Sequence, residues 1–361
     1  MSTVRQHSKQ YKFDVVYFLP WKNQLEPDLR ALGCKVTCLS SNNVFQIVLK
    51  IPGLLKLIRE GRYDFVHAHL PWTGIISRVV CKILDVPLVY TEHNIVSKYK
   101  MPTRIFHKLT YNWQDYVVAV SDEVERAIRK ELNPSIPIRT IVNGVDTVAL
   151  DRTTYNVVEL RKQFGLDRDA IIVGTVAVFR PQKRLDRWIR IARTVSNKFD
   201  NVRFVMVGDG LLRTELERQA YPPAPAGGAP PSGAGGSGLG GSIIFAGLTS
   251  EPDKWMACMD IFLMSSDFEG LPVALLEAMS LECVPVVTLA GGIPSVVSNE
   301  ENGFLYQPED EAHAEQIIGK LIQEKETVQH MGKNARSKIV SSFGIEKMVN
   351  ALEEVYDHVI S

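Results

Sequence analysis

Short apolar runs alternate with longer amphipathic segments along the whole chain. The runs are continuously apolar, which is typical of parallel strands buried on both faces. The segments between them, such as 184–199 and 212–220, repeat their apolar positions at helical spacing. This alternation predicts two successive α/β units of the Rossmann type. The predicted strands are 14–19, 35–39, 64–69, 87–93, 116–121, 139–145, 170–179, 202–208, 242–247, 261–266, 284–289 and 303–306.

The length of the chain favours two domains, because 361 residues exceed what one core usually holds. We predict an N-terminal domain at 1–150 and a C-terminal domain at 151–361, with the boundary near 147–168. Residues 220–242 contain eight Gly and five Pro. Such a segment buries too little apolar surface to offset its ordering entropy, so we predict a disordered insertion there.

The composition excludes some classes of protein. Lys+Arg and Asp+Glu are each 41, so the net charge does not indicate a nucleic-acid partner. The five cysteines are scattered without a CxxC pair, the first residues lack the apolar core of a signal peptide, and no apolar run reaches the ~20 residues of a membrane span. These features predict a cytoplasmic protein and are compatible with peripheral attachment to a membrane.

The glycine pattern argues against a dehydrogenase. No GxGxxG follows any predicted strand, and no GxxxxGK[ST] phosphate-binding loop occurs. The first predicted strand leads into its helix through LPWKNQ, which contains no glycine. A nicotinamide or flavin cofactor is therefore not expected.

Nine motifs follow one another over most of the chain: DFVHAHLPWTG (64–74), YTEHN (90–94), VAVSDEV (118–124), IVNGVD (141–146), FRPQKRLD (179–186), VGDGLLRTELE (207–217), EGLPVALLEAM (269–279), GGIPSVV (291–297) and NGFLY (302–306). In this order they resemble the retaining glycosyltransferases of family 4, also called glycosyl transferases group 1. The resemblance implies the GT-B fold, in which two Rossmann-like domains face each other across an interdomain cleft. It also implies transfer of a sugar from a UDP- or GDP-linked donor to a hydroxyl of a saccharide, lipid or small-molecule acceptor in polysaccharide or glycolipid biosynthesis, without a metal or other cofactor.

The N-terminus departs from the family pattern. Residues 15–39 resemble the second strand–helix–strand stretch of the family, which implies that the first strand and its Gly-rich turn are absent. The other interpretation is a shortened, divergent first unit. Because that turn usually faces the donor phosphates and the acceptor, its absence favours an alternative function: a catalytically weak relative that binds nucleotide-sugars or acts as a partner subunit. A nucleotide-sugar epimerase of the same fold is a third, less favoured hypothesis.

Glu269 and Glu277 flank a seven-residue stretch without other charges. The chain is expected to turn through 267–270 and to enter a helix near Pro272, with Glu277 about one and a half turns inside. The resemblance implies that Glu269 binds hydroxyls of the donor sugar, that Glu277 binds the ribose, and that Gly270 and Leu271 line the donor pocket. A carboxylate suits a vicinal diol because its two oxygens accept two hydrogen bonds. The alternative is a pair of solvated surface acids.

Lys183 is the best candidate for the donor diphosphate. It follows a strand and precedes a helix, whose N-terminus also attracts anions. By resemblance, an arginine usually stands five residues earlier, where this chain has Val178, and Arg180 replaces it from a shifted position. The alternative is a solvated basic turn.

Glycines provide further candidate contacts with the donor. Gly291 and Gly292 leave backbone N–H groups open to an anion or to sugar hydroxyls. Gly208 lies in a strand-to-helix turn, where a plain turn is as good an interpretation as a binding role. Many relatives have a glutamate where Ser295 stands, which leaves that contact open.

In the N-terminal half, the resemblance makes His93 the histidine that faces the reacting side of the donor sugar. His67 and His69 alternate along a strand and share one face, but no third ligand is near in sequence, so we expect no metal site. Ser121 is expected to cap a helix rather than to act as a nucleophile. Trp21 and Trp72 could contact a lipid-linked or saccharide acceptor, but core packing is the favoured use of each. No catalytic triad emerges, and the resemblance implies that the leaving phosphate helps to deprotonate the acceptor.

Overall fold

The computed structural model describes residues 4, 6, 7, 11–43, 45–221 and 243–361, and these form two compact units. The first unit comprises Met1–Gly144 and Ile345–Ser361, and the second comprises Val145–Gly344. The division corrects one prediction, because the last 17 residues belong to the first unit and not to the C-terminal domain. The insertion predicted at 220–242 lies, from residue 222 on, outside the described residues, so its disorder stays a prediction.

The first unit contains two parallel sheets within the described residues. Strands β1 (Val15–Tyr17) and β2 (Val36–Cys38) form one, and strands β3 (Val66–His69), β4 (Leu88–Glu92), β5 (Tyr116–Ala119) and β6 (Ile138–Thr140) form the other in that order. The helices between them are α1 (Glu26–Ala31), α2 (Ile51–Gly61), α3 (Pro71–Leu84), α4 (Met101–Thr110) and α5 (Asp122–Leu132). Tyr63, just before β3, donates a 2.6 Å hydrogen bond to Asp14, just before β1.

The second unit is built on a six-stranded parallel sheet. Its strands are β7 (Ile171–Val176), β8 (Val202–Val207), β9 (Ile243–Gly247), β10 (Ile261–Met264), β11 (Val284–Thr288) and β12 (Phe304–Tyr306), in the spatial order β12-β11-β10-β7-β8-β9. Its helices are α6 (Val157–Gln163), α7 (Leu185–Ser196), α8 (Arg213–Ala220), α9 (Pro252–Ala257), α10 (Val273–Ser280), α11 (Glu311–Gln323) and α12 (Lys325–Ser342). All of its paired strands are parallel, as their continuously apolar sequences predict.

The core of the second unit lies between this sheet and its helices. The apolar face of α7 supplies Trp188, whose ring meets Phe204 of β8 edge to face at 5.6 Å between centroids. The helix is strongly amphipathic and keeps Arg190 on its exposed side. Because every strand runs the same way, the loops that follow β7, β8, β10 and β11 all leave at one edge of the sheet, where ligands of open α/β sheets bind.

The last helix of the chain, α13 (Ile345–Ile360), packs on the sheet of the first unit. Leu352, Val355 and Tyr356 meet Val89 of β4 and Val118 of β5 in one apolar cluster. This packing is the physical reason for the corrected domain assignment, since the apolar stripe of α13 is buried by the N-terminal sheet.

The predicted strands are confirmed, each with the shorter bounds given above. Within the described part of the chain, no helix combines the length and apolarity that crossing a bilayer would require.

Candidate functional site

Lys183 and Glu269 form an ion pair at the carboxyl edge of the second sheet. The Lys183 Nζ donates to Glu269 Oε1 at 2.6 Å, and the side chains are only 20% and 8% exposed. Lys183 ends a short 3₁₀ helix, Pro181–Lys183, that leads into α7, and Glu269 lies in the loop between β10 and α10. Lys183, predicted to bind the donor diphosphate, and Glu269, predicted to bind the donor sugar, are thus in direct contact.

Further hydrogen bonds join these two loops. The Asp267 N–H donates to the Gln182 carbonyl at 2.9 Å, and the Ser265 hydroxyl donates to the Arg184 carbonyl at 2.8 Å. Arg187 of α7 donates to the Asp267 carboxylate at 2.5 Å. Sequence reasoning missed these supporting residues. The only signal of Ser265 and Asp267 is a polar side chain after an apolar strand, and that of Arg187 is a cation on an amphipathic helix. These hydrogen bonds hold the two loops together and so fix the positions of Lys183 and Glu269.

Gly291 is required by the backbone geometry of the site. Its φ is +56°, and a Cβ at this position would lie 1.7 Å from the Glu269 carbonyl oxygen. The next N–H, that of Gly292, donates to the Gly270 carbonyl at 2.7 Å. The loop after β11 therefore lies directly on the Glu269 loop, and both Gly270 and Leu271 are buried at this junction. Ser295 is exposed, and its hydroxyl donates to the Gly292 carbonyl at 2.7 Å.

Glu277 is a half-buried carboxylate on α10. The apolar residues of this helix predict that Val273, Leu275, Leu276 and Met279 all pack against the sheet. Leu275, Leu276 and Met279 are fully buried, whereas Val273 is 43% exposed and does not hold the helix. Pro272 occupies the cap position immediately before the helix. Burial, with a smaller effect of the nearby Asp253, raises the pKa of Glu277 to about 7. Among the described residues, its carboxylate has no hydrogen-bond or ion-pair partner.

Arg180 and Gly208 lie on neighbouring loops. Arg180 is exposed at the start of the Pro181–Lys183 turn and makes no side-chain ion pair with the described residues, while Val178 is 46% exposed. Gly208 has φ +128°, and a Cβ there would lie 1.9 Å from the Ala177 carbonyl oxygen. The close approach of the chain explains this glycine without a ligand, so its binding role stays a prediction.

In the first unit, His93 follows β4 directly and belongs to a row of three histidines. His93 Nε2 lies 3.0 Å from His69 Nδ1, and the His69 ring lies 4.3 Å from that of His67, so the strand does place both on one face. His67 in turn bonds to Thr91 Oγ1 and to the Tyr356 hydroxyl, each at 2.7 Å. Burial lowers the pKa of His93, which keeps its imidazole neutral at pH 7.

Sequence reasoning missed Glu92, the neighbour of His93. Its side chain is fully buried and accepts hydrogen bonds from His107 at 2.9 Å, from the Tyr99 hydroxyl and from the Asn94 N–H at 3.3 Å. Burial alone would raise the pKa of Glu92, but these hydrogen bonds outweigh it and the pKa is lowered. Arg78 donates to His107 from the other side at 3.1 Å. Glu92 thus fixes the turn that carries His93.

Ser121 and the two tryptophans are the remaining residues that the sequence singles out. The Ser121 hydroxyl accepts from the Val124 N–H at 3.3 Å and caps α5, as predicted. Trp21 is 52% exposed, whereas Trp72 is half-buried and its ring centroid lies 6.2 Å from that of Phe106. Over the described ranges, no group of three or more His, Cys, Asp or Glu side chains is arranged to hold a metal ion.

Comparison with known proteins agrees with this architecture. Each of the two α/β units is built on parallel strands, and the second carries the Lys183–Glu269 pair at the carboxyl edge of its sheet. These features define a two-domain Rossmann-like protein. Residues 4–149 match the model of Glycosyltransferase Family 4, and residues 168–324 match that of Glycosyl transferases group 1. The matches together span most of the chain, and the protein belongs to this family of glycosyltransferases.

Three relatives illustrate the similarity. The UDP-Gal:alpha-D-GlcNAc-diphosphoundecaprenol alpha-1,3-galactosyltransferase of Escherichia coli is 26% identical over 93% of this chain and 86% of its own length. The crystal structure of Anabaena HepE with UDP and glucose superposes with a TM-score of 0.82 at 20% identity, covering 99% of this chain and 94% of HepE. Sucrose-phosphate synthase of Thermosynechococcus elongatus superposes with a TM-score of 0.74 at 17% identity, covering 90% and 83%. These likenesses confirm the GT-B fold class.

Proposed function

We propose that the protein transfers a sugar from a UDP-sugar to an acceptor hydroxyl with retention of the anomeric configuration. Family membership supports glycosyl transfer from a nucleotide-sugar. The observation that carries the assignment of the donor site is Glu277, a half-buried carboxylate without a protein partner and with a pKa raised to about 7. A buried carboxylate of this kind lacks the hydrogen bonds that usually compensate for lost hydration, and a ribose diol would supply two.

Lys183 and Arg180 are proposed to bind the donor diphosphate. Lys183 Nζ uses one donor on Glu269, which leaves its others for phosphate oxygens. The N-terminus of α7 begins two residues later and adds its partial positive charge. Two cations and a helix terminus together can stabilise the charge that develops on the leaving group, so we propose that no metal is needed.

Glu269 and His93 are proposed to position the donor sugar. In the described geometry Glu269 Oε1 is engaged by Lys183, so the other oxygen is the acceptor available for a sugar hydroxyl. Neutral His93 can donate to or accept from a hydroxyl or phosphate oxygen. This proposal includes no pair of carboxylates for a double displacement. Instead, the leaving phosphate takes the proton of the acceptor hydroxyl, and the acceptor attacks on the same face of the sugar from which the phosphate departs.

UDP is the proposed nucleotide, because the HepE structures contain UDP or UDP-glucose and the E. coli relative is named as a UDP-galactose enzyme. The acceptor of that relative is a lipid-linked sugar diphosphate. We propose an acceptor of the same broad kind, a saccharide carried on a lipid, which would put the protein at the cytoplasmic face of a membrane and in glycolipid or polysaccharide biosynthesis.

Calorimetric titration with a panel of UDP- and GDP-sugars tests the proposal. Wild type should bind one donor and hydrolyse it slowly, and Glu277→Ala should lose that binding. Glu309→Ala, which removes an exposed loop glutamate from the same unit, is the matched control and should bind normally. Equal donor affinity in wild type and Glu277→Ala would contradict the assignment of the ribose site.

The alternative function, a relative that binds donors without turnover, is favoured by one observation. The chain after β1 has no Gly-rich turn, and a 3₁₀ helix, Pro20–Lys22, stands there instead. Donor binding without hydrolysis, and without transfer to any saccharide or lipid-linked acceptor tried, would support this alternative over the enzyme.

A further inference from the structure

The first unit exposes an apolar stripe on α4. Met101, Ile105 and Leu109 recur every four residues and are 61%, 49% and 67% exposed. Phe106 and Trp113 lie beside them and are 49% and 45% exposed. Spaced four apart on a helix, the first three side chains share one face over about 12 Å of helix length. So many large apolar side chains in one place mark a docking surface, whereas single exposed ones do not.

The opposite face of α4 is anchored in the protein. His107 and Thr110 are buried there, and His107 bonds to the buried Glu92. This anchoring fixes the rotation of the helix, so the stripe cannot turn inward to bury itself. The exposure of Ile105 and Leu109 is therefore a stable property of the fold and not a consequence of a loosely packed helix.

Cations line one side of the stripe. Arg104 and Lys108 are both exposed on the helix, next to the apolar face, and Lys100 precedes it. From His93 to Gln114 the chain contains no Asp or Glu, although acidic and basic residues are equal in number over the whole sequence. The positive charge is thus concentrated on this helix and its approach.

We propose that α4 with its flanking residues 98–100 and Trp113, here called the α4 surface, docks the protein on an anionic lipid bilayer. The proposal rests on the proposed function, whose lipid-carried acceptor it would bring within reach. Apolar side chains beside Lys and Arg on a surface helix suit the boundary between acyl chains and negative headgroups. A tryptophan at the end of the stripe suits the same boundary. A protein partner would need acidic groups placed opposite three separate cations, whereas a charged lipid surface provides them everywhere.

The position of the α4 surface in its own unit fits an acceptor role. α4 follows the turn that carries His93, and Phe106 packs near Trp72, which stands just after β3. The surface therefore lies on the side of the first unit where β3 and β4 end. A bilayer bound there would hold a lipid-linked acceptor next to the histidine row.

Vesicle co-sedimentation of the full chain tests the proposal. Wild type should bind vesicles of phosphatidylcholine with roughly one third phosphatidylglycerol more strongly than phosphatidylcholine alone. Ile105→Ser with Leu109→Ser should lower the partition coefficient at least tenfold, about what removing two inserted aliphatic groups predicts. Arg104→Ala with Lys108→Ala should lower it about 25-fold on the anionic vesicles only, at about fivefold per charge.

The controls come from the second unit. Val340→Ser removes a 49% exposed valine from α12, and Lys320→Ala removes an exposed cation from α11; both variants should sediment as wild type does. No binding of wild type to anionic vesicles, or equal binding by the α4 variants, would overturn the proposal. Concentration-dependent dimerisation that the Ile105/Leu109 variant abolishes, without vesicle binding, would overturn it in favour of a second copy of the chain.

Donor calorimetry on the same variants separates the two proposals. Variants that lose vesicle binding but keep nucleotide-sugar affinity test the α4 surface alone. If wild type binds vesicles through α4 but binds no nucleotide-sugar, the proposed function fails and the lipid surface stands.

Discussion

Replacing Glu277 by glutamine should stabilise the protein at pH 8 and weaken donor binding at the proposed ribose site. The pKa of this carboxyl is about 7 against the ordinary 4.5, because burial and Asp253 disfavour the charged form. At about 1.4 kcal/mol per pH unit, ionising Glu277 in the folded protein costs about 3 kcal/mol more than in the unfolded chain. Glutamine keeps the shape and removes the charge, so it removes this cost.

The sign of the effect depends on pH. The pKa of Glu277 is higher in the folded protein than in the unfolded chain. The contribution of this carboxyl to the free energy of unfolding is therefore fully present below about pH 4.5 and is lost as the pH rises through 7. Glu277→Gln should therefore raise the free energy of unfolding by about 3 kcal/mol at pH 8 and by less than about 1 kcal/mol at pH 5. The midpoint of thermal unfolding should rise by about 6–10 °C at pH 8 for a unit of this size.

Denaturant unfolding at the two pH values, followed by donor titration, measures both consequences. Glu309→Gln changes an exposed glutamate and should leave both curves unchanged. A variant that is no more stable than wild type at pH 8, or equally stabilised at pH 5 and pH 8, would refute the reasoning. If Glu277→Gln is more stable than wild type but binds the donor equally well, the raised pKa of Glu277 is unrelated to ribose binding.

Three further predictions concern other parts of the site. Gly291→Ala should lower the free energy of unfolding by at least about 2 kcal/mol and abolish donor binding, because the new Cβ would meet the Glu269 carbonyl at 1.7 Å; unchanged thermal melting and calorimetry would contradict this. Glu92→Gln should cost about 3 kcal/mol in denaturant unfolding, since it leaves Arg78 without the nearby buried negative charge, and a loss below about 1 kcal/mol would show that the network is not an ionic one. EDTA should leave donor hydrolysis unchanged, because in the proposed site Lys183 and Arg180 provide the positive charge at the diphosphate; loss of activity that Mg²⁺ or Mn²⁺ restores would refute this.

The strands could be predicted because each has a signal in its own short stretch of sequence. A run such as IIVGTV is apolar on both faces, and that alone indicates a buried parallel strand. The unusual surroundings of Glu277 could also be predicted in this way, since a single acid amid apolar residues is visible in the sequence. The turn that carries Lys183 follows from the same logic, because it joins a predicted strand to a predicted helix.

Long-range pairing could not be predicted from such patterns. Nothing near Lys183 in the chain indicates that it contacts Glu269, 86 positions later. The amphipathic pattern of α13 predicts a helix with a buried face but not which sheet buries it, so its assignment to the C-terminal domain was wrong. Glu92 ends an apolar strand, which is a signal, but its partner His107 lies on one helix and Arg78, which donates to His107, lies on another.

The position of α13 determines the order in which the protein can be completed during synthesis. Val145 and Gly344 are bridged, so the second unit starts and finishes at one point and can close as soon as its own residues have emerged. The first unit cannot do so, because Val89, Val118 and Ile141 are covered by a helix made about 200 residues later. At roughly 5–20 residues per second, that sheet face stays bare for roughly 10–40 seconds on the ribosome. During this interval the nascent chain presents an apolar surface that a chaperone can hold.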